Sequence, residues 1–511
     1  MQHSPRIDDP KIKKSIKRQV EHKTFWRVTW ILVVLALVGS GAYFAYRFSQ
    51  YGKEKATNLV AEGQALERDY RLTEALQKYE TAQALSWVAK PQAAEAAFRS
   101  AAIYISRNQF TDAESFLEKA TELDSNNAQF FLSLAQAELV QRKLDEAAQH
   151  LLKVGQLTGA AGSAADPELA SQIAVVQARL AVAQEDQEAA EKFVRQALQA
   201  NSKNAEALFI DAALSLHNET TIAQKNLNQI GNLTQDKALL AKAQALMPIV
   251  EQILNKISNP AYEFALVAST LLDVKEADLA LLEAQQAVKK DDEYRDAWLV
   301  QGRAELATDR LDEAQASLEK AAALDPTSGQ VAFVQGLLAV ERNDAGTAIK
   351  ALRKAIDLGY TTPAVFLLLA EQYQAQGEQD GADNALLAGL KANPDHRELL
   401  LARFWLTYRT ANGKEIKKTA DDFKEAFPKD PLTLALQGLA NFKLGKVQAA
   451  TKSAEDALQT DQLLAAAHLV LGLVNNDRTE LVRAIDLDWE GDVADIAQEA
   501  LRQLDSNKNT E

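Results

Sequence analysis

Six histidines are the side chains best suited to ligate a metal or carry a proton: His3, His22, His150, His217, His396 and His468. They are scattered, with no HExxH and no pair at metal-ligand spacing. Asp486, Asp488, Glu490 and Gly491 imitate the first half of a calcium-binding DxDxxG loop. Position twelve, where a bidentate glutamate closes such a loop, is Ala497, so an acidic turn before a helix is expected. The chain has no GxSxG, GxGxxG or GxxxxGK, and Gly39-Ser40-Gly41 lies inside an apolar run where it cannot cradle a phosphate. The absence of cysteine excludes disulfides, thiolate metal sites and a thiol nucleophile. The expectation is a protein that is not an enzyme, with no cofactor, no metal and no small-molecule substrate.

What remains is repetition. Arg295 to Ser328 supplies the ruler: Trp298, Gly302, Ala314, Leu318, Ala321 and Pro326. Ala314, Leu318 and Ala321 fall at i, i+4 and i+7, one face of a helix. Asp309-Arg310 mark a turn before that helix, and Asp325-Pro326 end it, because proline forces the preceding residue out of the α region. Thirty-four residues on, Gly336, Ala348, Leu352 and Ala355 hold the same slots, and a further 34 bring Ala370, Tyr373, Ala382, Leu386, Gly389 and Pro394. Thirty-four residues back, Phe264, Ala268, Ala280, Ala284 and Ala287 match.

This pattern resembles the tetratricopeptide repeat, which implies an all-α solenoid of paired helices. Further units start near Gly63, Tyr104, Phe131, Ala178 and Ala205, and others follow Pro394 up to His468. Three irregularities are expected: a loop over Gly155–Leu169, an expanded turn at Thr410–Lys414, and a long helix over 235–258 with Pro248 inside it. The last is read as a joint between one array at 57–230 and another at 261–490, with a polar capping helix over 492–505. In this family the first helix of each repeat lines a concave groove. Carried over by slot, the groove holds Asp296, Leu299, Arg303 and Leu306, then Gln330, Phe333, Leu337 and Val340, then Leu367, Glu371 and Gln374. Its few charges imply an apolar peptide or helix as partner, with packing between repeats the competing role for each apolar side chain. The family's clamp for a C-terminal carboxylate is not matched, since its slots hold Leu299, Arg303, Val334, Ala364 and Leu368.

The N-terminus differs from the rest. Residues 1–27 are basic, and Val28–Tyr46 is an uncharged run of 19 residues. At 1.5 Å per residue that run spans about the 30 Å hydrocarbon core of a bilayer. Trp26 and Trp30 flank one end and Tyr43 and Tyr46 the other, as in an aromatic belt. Eight basic residues precede the run, so the positive-inside rule puts residues 1–27 in the cytoplasm and the repeats beyond the membrane. A signal peptide cut after Ser40-Gly41-Ala42 is the competing reading; the long basic region and the apolar residues past Ala42 favour a retained transmembrane helix.

The chain carries 56 basic and 71 acidic residues. Nine basic and three acidic ones lie in residues 1–47, leaving 47 and 68 beyond, a net charge of −21. An acidic solenoid repels phosphate backbones, so nucleic acid is excluded as a partner. The expected role is a membrane-anchored scaffold, periplasmic beyond a bacterial inner membrane, assembling a cell-envelope complex of the secretion, pilus or motility type. An accessory subunit of an exopolysaccharide or cell-wall export system is the alternative.

Overall fold

The structure, a computed structural model, describes residues 43–160, 166–255, 259–489 and 491–508, together with Trp30, Val38 and Ser40. Among them every regular element is a helix. Most of the apolar run 28–46 therefore lies outside the described residues, as does Glu490. No described helix is long and apolar enough to cross a membrane.

The paired helices follow the ruler. Arg295–Ala307 and Leu311–Leu324 form one pair, Gly329–Glu341 and Ala345–Asp357 the next, and Pro363–Ala375 and Gln379–Ala392 the third. The second helix of each pair buries the expected face completely: Ala280, Ala314, Ala348 and Ala382 are inaccessible to solvent. Small side chains there let the partner helix approach closely. At Gly302 the approach is close, since a Cβ would sit 2.9 Å from Leu318 Cγ.

Turn chemistry repeats with the same period. Lys275, Asp309, Asn343 and Gly377 all have positive φ. At each such turn the chain reverses through the left-handed region, as in a Schellman motif. Around Asp309 the two bonds of that motif are present, Asp309 N–H to Leu306 O at 3.1 Å and Arg310 N–H to Glu305 O at 2.8 Å. Helix starts are fixed by side-chain caps and prolines. Asn204, Asn259 and Asp430 accept backbone N–H bonds from the first turn, while Pro260, Pro363 and Pro431 open their helices.

Two of the three irregularities turn out differently. The loop expected over Gly155–Leu169 does not begin at Gly155, because the helix Leu144–Ala160 continues through it and packs Leu157 on the core; residues 161–165 lie outside the described residues, and Asp166 caps the helix Pro167–Ala183. The turn at Thr410–Lys414 is not expanded. Asn412 accepts bonds from Lys414 N and Glu415 N at 3.0 and 3.3 Å, closing it with only Ala411 and Asn412 between helices. The long helix is present as Lys237–Leu254 with Pro248 inside. Its Leu246, Ile249 and Val250 belong to one hydrophobic core that runs from Ala174 to Ala304. The sequence breaks register there, and the core does not.

The chain divides into two compact units, residues up to 102 with 118–125, and 103–117 with 126–511. In the first unit a helix over 43–68 packs against Leu72–Gln83. Tyr79 is fully buried there and donates to Glu67 at 2.6 Å; Gln83 donates to Ser100 at 3.1 Å and accepts from Lys119 at 2.7 Å. The second unit carries the remaining pairs and ends in the helix Asp492–Lys508, longer than the cap read from sequence.

Candidate functional site: the groove of the repeats

The slots read as a groove do not share one fate. Leu299 is 3% exposed and packs with Ala314, Leu318, Val331 and Val334, so it is core and presents no surface. Arg303 turns to the preceding repeat, donating to Ser269 Oγ at 3.2 Å and Asp273 Oδ1 at 3.1 Å. Asp296 is held by Arg295 at 2.9 Å and by the Tyr294 hydroxyl at 3.2 Å. Phe333 is half-buried with its ring 5.2 Å from that of Tyr360. Gln330, Leu337, Leu367 and Gln374 are half-buried, and Glu371 is exposed. Phe333 and Leu367 occupy equivalent slots on successive first helices, with Leu337 one turn from Phe333. These three are apolar and half-buried, as are Leu306 and Val340 of the same set of slots.

A second cluster escaped the sequence reading. Arg179 lies between two carboxylates, 2.5 Å from Glu206 Oε1 and 3.1 Å from Glu276 Oε2. Lys242 of the long helix reaches Glu276 at 2.7 Å. Burial opposes ionisation of Glu276, but Arg179 and Lys242 outweigh it and hold the carboxyl below its usual range. Burial likewise opposes the charge on Arg179, and the two carboxylates overcome it. Arg142 adds a bond to Asp278 at 2.5 Å, and Arg310 pairs with Glu185. The Arg179–Glu276 tie holds the start of the helix Ala277–Lys290 against the helix Pro167–Ala183, and Arg142 and Lys242 reach the same end from other helices. Beside Arg179 and Glu276 lies a cleft of about 290 Å³ lined by Leu139, Val140, Val176, Ile210 and Leu279 among others. A signal was available: Arg179 follows Ala178 as Arg303 follows Gly302, so both arginines hold the same repeat slot.

Two of the described histidines are held by neighbouring groups. His468 Nε2 lies 3.0 Å from Gln462 O, and Trp298 Nε1 donates to Asp292 O at 2.8 Å, each partner six residues back. The two rings do the same work in the same slot. His217 sits between Glu263 at 2.7 Å and Glu283 at 2.8 Å, stacked on Phe264 at 3.9 Å. In the acidic turn, Asp486 is taken by Arg107 at 2.8 Å and Asp488 accepts from Val493 N at 3.1 Å. Among the described residues no group of histidines and carboxylates is placed to hold a metal ion.

The family profile of the tetratricopeptide repeat matches residues 101–161, 268–329 and 299–363. No curated protein sequence matches the chain significantly. Among solved structures, the Cut9-Hcn1 hetero-tetramer of the APC/C is 16% identical, covering 90% of this chain and 98% of that one, with a TM-score of 0.35. PilW, a widely conserved type IV pilus biogenesis factor, is 19% identical over 42% of this chain and 100% of its own, with a TM-score of 0.36. Yeast Tom70 is 16% identical over 89% of this chain and 96% of its own, at 0.33. At such scores the likenesses carry nothing about role. The matched segments are tetratricopeptide repeats, built as an all-α solenoid, a fold suited to holding other proteins.

Proposed function

We propose that these tetratricopeptide repeats form a membrane-anchored scaffold, which binds an apolar peptide or helix of partner proteins and assembles them into a cell-envelope complex. The observation that carries the binding half is the accessible stripe Phe333, Leu337 and Leu367 on successive first helices. A ligand helix laid across repeats buries side chains at such a spacing, and the amides of Gln330 and Gln374 beside the stripe can fix its register. In one earlier repeat the slot of Leu337 holds Arg179, which is committed to Glu206 and Glu276. The binding reading is placed on the array at 261–490, where the stripe lies.

Anchoring rests on the uncharged run Val28–Tyr46 and on the helix that is continuous from residue 43 to residue 68. No linker separates the end of the run from the first repeat. The charge asymmetry puts the N-terminus in the cytoplasm and the repeats beyond a bacterial inner membrane. No enzymatic step is assigned.

The binding reading is tested by combining Phe333→Ala with Leu337→Glu. A charge placed on the stripe has no partner once a ligand covers it, and burying it is costly. Partners cross-linked to the parent chain at Gln374 should be lost, with the helical circular dichroism unchanged. Retention of the same partners by a folded variant would contradict the groove.

A further inference from the structure

The first repeat carries an aromatic surface that its own packing does not use. Tyr43, Phe44, Tyr46, Phe48 and Tyr51 are all exposed, although they crowd into nine residues of one helix. Phe44, Phe48 and Tyr51 fall at i, i+4 and i+7 and make a stripe. Trp87 joins it from the turn after the helix Leu72–Gln83. Its ring lies 5.5 Å from that of Phe48, yet Trp87 is 63% exposed and Phe48 59%.

Local packing fixes this pair. Gly52 is buried one turn beyond Phe48, and a Cβ there would lie 2.6 Å from Val88 Cγ2. Only glycine lets the turn come so near the helix. Val88 N–H and Ala89 N–H both bond to Leu85 O at 3.0 Å, so the turn is hydrogen-bonded where it holds Trp87 out.

Charge sets the patch apart from the rest of the solenoid. Arg47, Lys53, Lys55 and Lys90 surround it, all exposed, against the single acid Glu54. Beyond residue 47 the chain as a whole is strongly acidic. Exposed Trp, Tyr and Phe interleaved with Lys and Arg match the layer where lipid headgroups meet water.

Position completes the case. Phe48 lies two residues past the end of the uncharged run, about 3 Å along a helix axis. The interfacial layer is roughly 5 to 7 Å deep on each side of the hydrocarbon core. Trp87, beside Phe48, stands at the same depth although it is distant in sequence.

We infer that the first repeat docks on the bilayer surface, with Trp87 and the Phe44–Phe48–Tyr51 stripe in the headgroup layer and Arg47, Lys53, Lys55 and Lys90 on anionic lipid phosphates. This rests on the anchoring half of the proposed function. Two contacts distant in sequence then hold the first repeat, so it cannot swing freely about its anchor. Trp87 is the residue that converts a tether into a seat.

The absence of cysteine makes the test clean. Ser86→Cys and, as a remote control, Lys320→Cys are each labelled with an environment-sensitive fluorophore in the full chain. The chain is placed in phosphatidylethanolamine/phosphatidylglycerol vesicles containing lipid with a shallow nitroxide quencher. The label at 86 should be quenched severalfold more than that at 320, and Trp87→Glu should abolish the difference while the protein stays on the vesicles. Equal quenching at 86 and 320 on vesicle-bound protein would overturn the docking and leave the anchor standing. Energy transfer between labels at 86 on different copies, without lipid quenching, would overturn it in favour of self-association. Release of the full chain by carbonate would overturn the anchor, and the docking with it.

Discussion

Arg107 and Asp486, 379 residues apart, form a buried ion pair with Nη2 and Oδ1 at 2.8 Å. The ring of Trp489 covers the guanidinium at 4.0 Å. The turn after the helix Lys90–Ser106 is thereby tied to the end of the helix Arg478–Leu487. Burial lowers the pKa of Arg107 and Asp486 opposes that shift, so the two charges depend on each other. Removing one partner of such a pair costs about 3 to 5 kcal/mol, because the other charge stays buried. Arg107→Met should destabilise the chain by that order in urea unfolding. Combining it with Asp486→Leu should recover most of the loss, since an apolar pair carries no desolvation penalty. Equal destabilisation by the single and double variants would contradict this.

The long helix Lys237–Leu254 gives a second prediction. Leu246 is fully buried in the core that spans Ala174 to Ala304. Leu246→Ala should cost about 2 to 5 kcal/mol through lost burial and the cavity left behind. Repeats couple through their neighbours, so the loss should propagate both ways. Hydrogen exchange should accelerate together in Ala205–Ser215 and in Pro260–Asp273. Acceleration on one side alone would show that the arrays at 57–230 and 261–490 unfold independently.

His217 predicts a pH dependence. Burial disfavours its charged form, but the bonds to Glu283 and Glu263 outweigh it and raise its pKa above the usual histidine value. Lys290, in the same cavity, is the nearby cation. A folded value above the unfolded one means that His217 stabilises fully below about pH 6.5. That contribution is lost as pH rises through the folded value. Stability measured from pH 6 to pH 9 should fall more steeply for the parent than for His217→Gln. Parallel curves would remove the histidine from the account.

Turn geometry supplies a fourth prediction. Lys275 holds φ at 63° where Gly377, in the equivalent slot, holds 77°. A side chain in the left-handed region costs about 1 kcal/mol, which glycine avoids. Lys275→Gly should raise the thermal midpoint and Gly377→Ala should lower it. Shifts of the same sign would contradict the assignment.

Much of this architecture was legible because it is local. A 34-residue period in Ala314, Leu318 and Ala321 reports helix faces directly, and the turn at Asp309 reports where they reverse. The groove was legible only as slots. Leu299 and Phe333 share a slot, yet one is core and the other half-exposed, because burial depends on the neighbouring repeat and not on the slot. The turn at Asn412 was misjudged because a side-chain cap replaced the left-handed residue. The slot of Arg179 was legible, but its pairing with Glu276 and that of Arg107 with Asp486 were not, since nothing in local spacing brings residues 97 and 379 apart together. Trp87 was visible as an aromatic but not as a neighbour of Phe48, for the same reason.

The anchoring reading and the docking of the first repeat require the repeats to lie beyond a membrane and stay fixed to it. An alkaline phosphatase fused after Glu511, active only outside the cytoplasm, measures that most directly when the cells are also washed with carbonate. The account predicts an active fusion that remains with the membranes. An inactive fusion would contradict the orientation, and an active one released by carbonate would contradict the retained anchor.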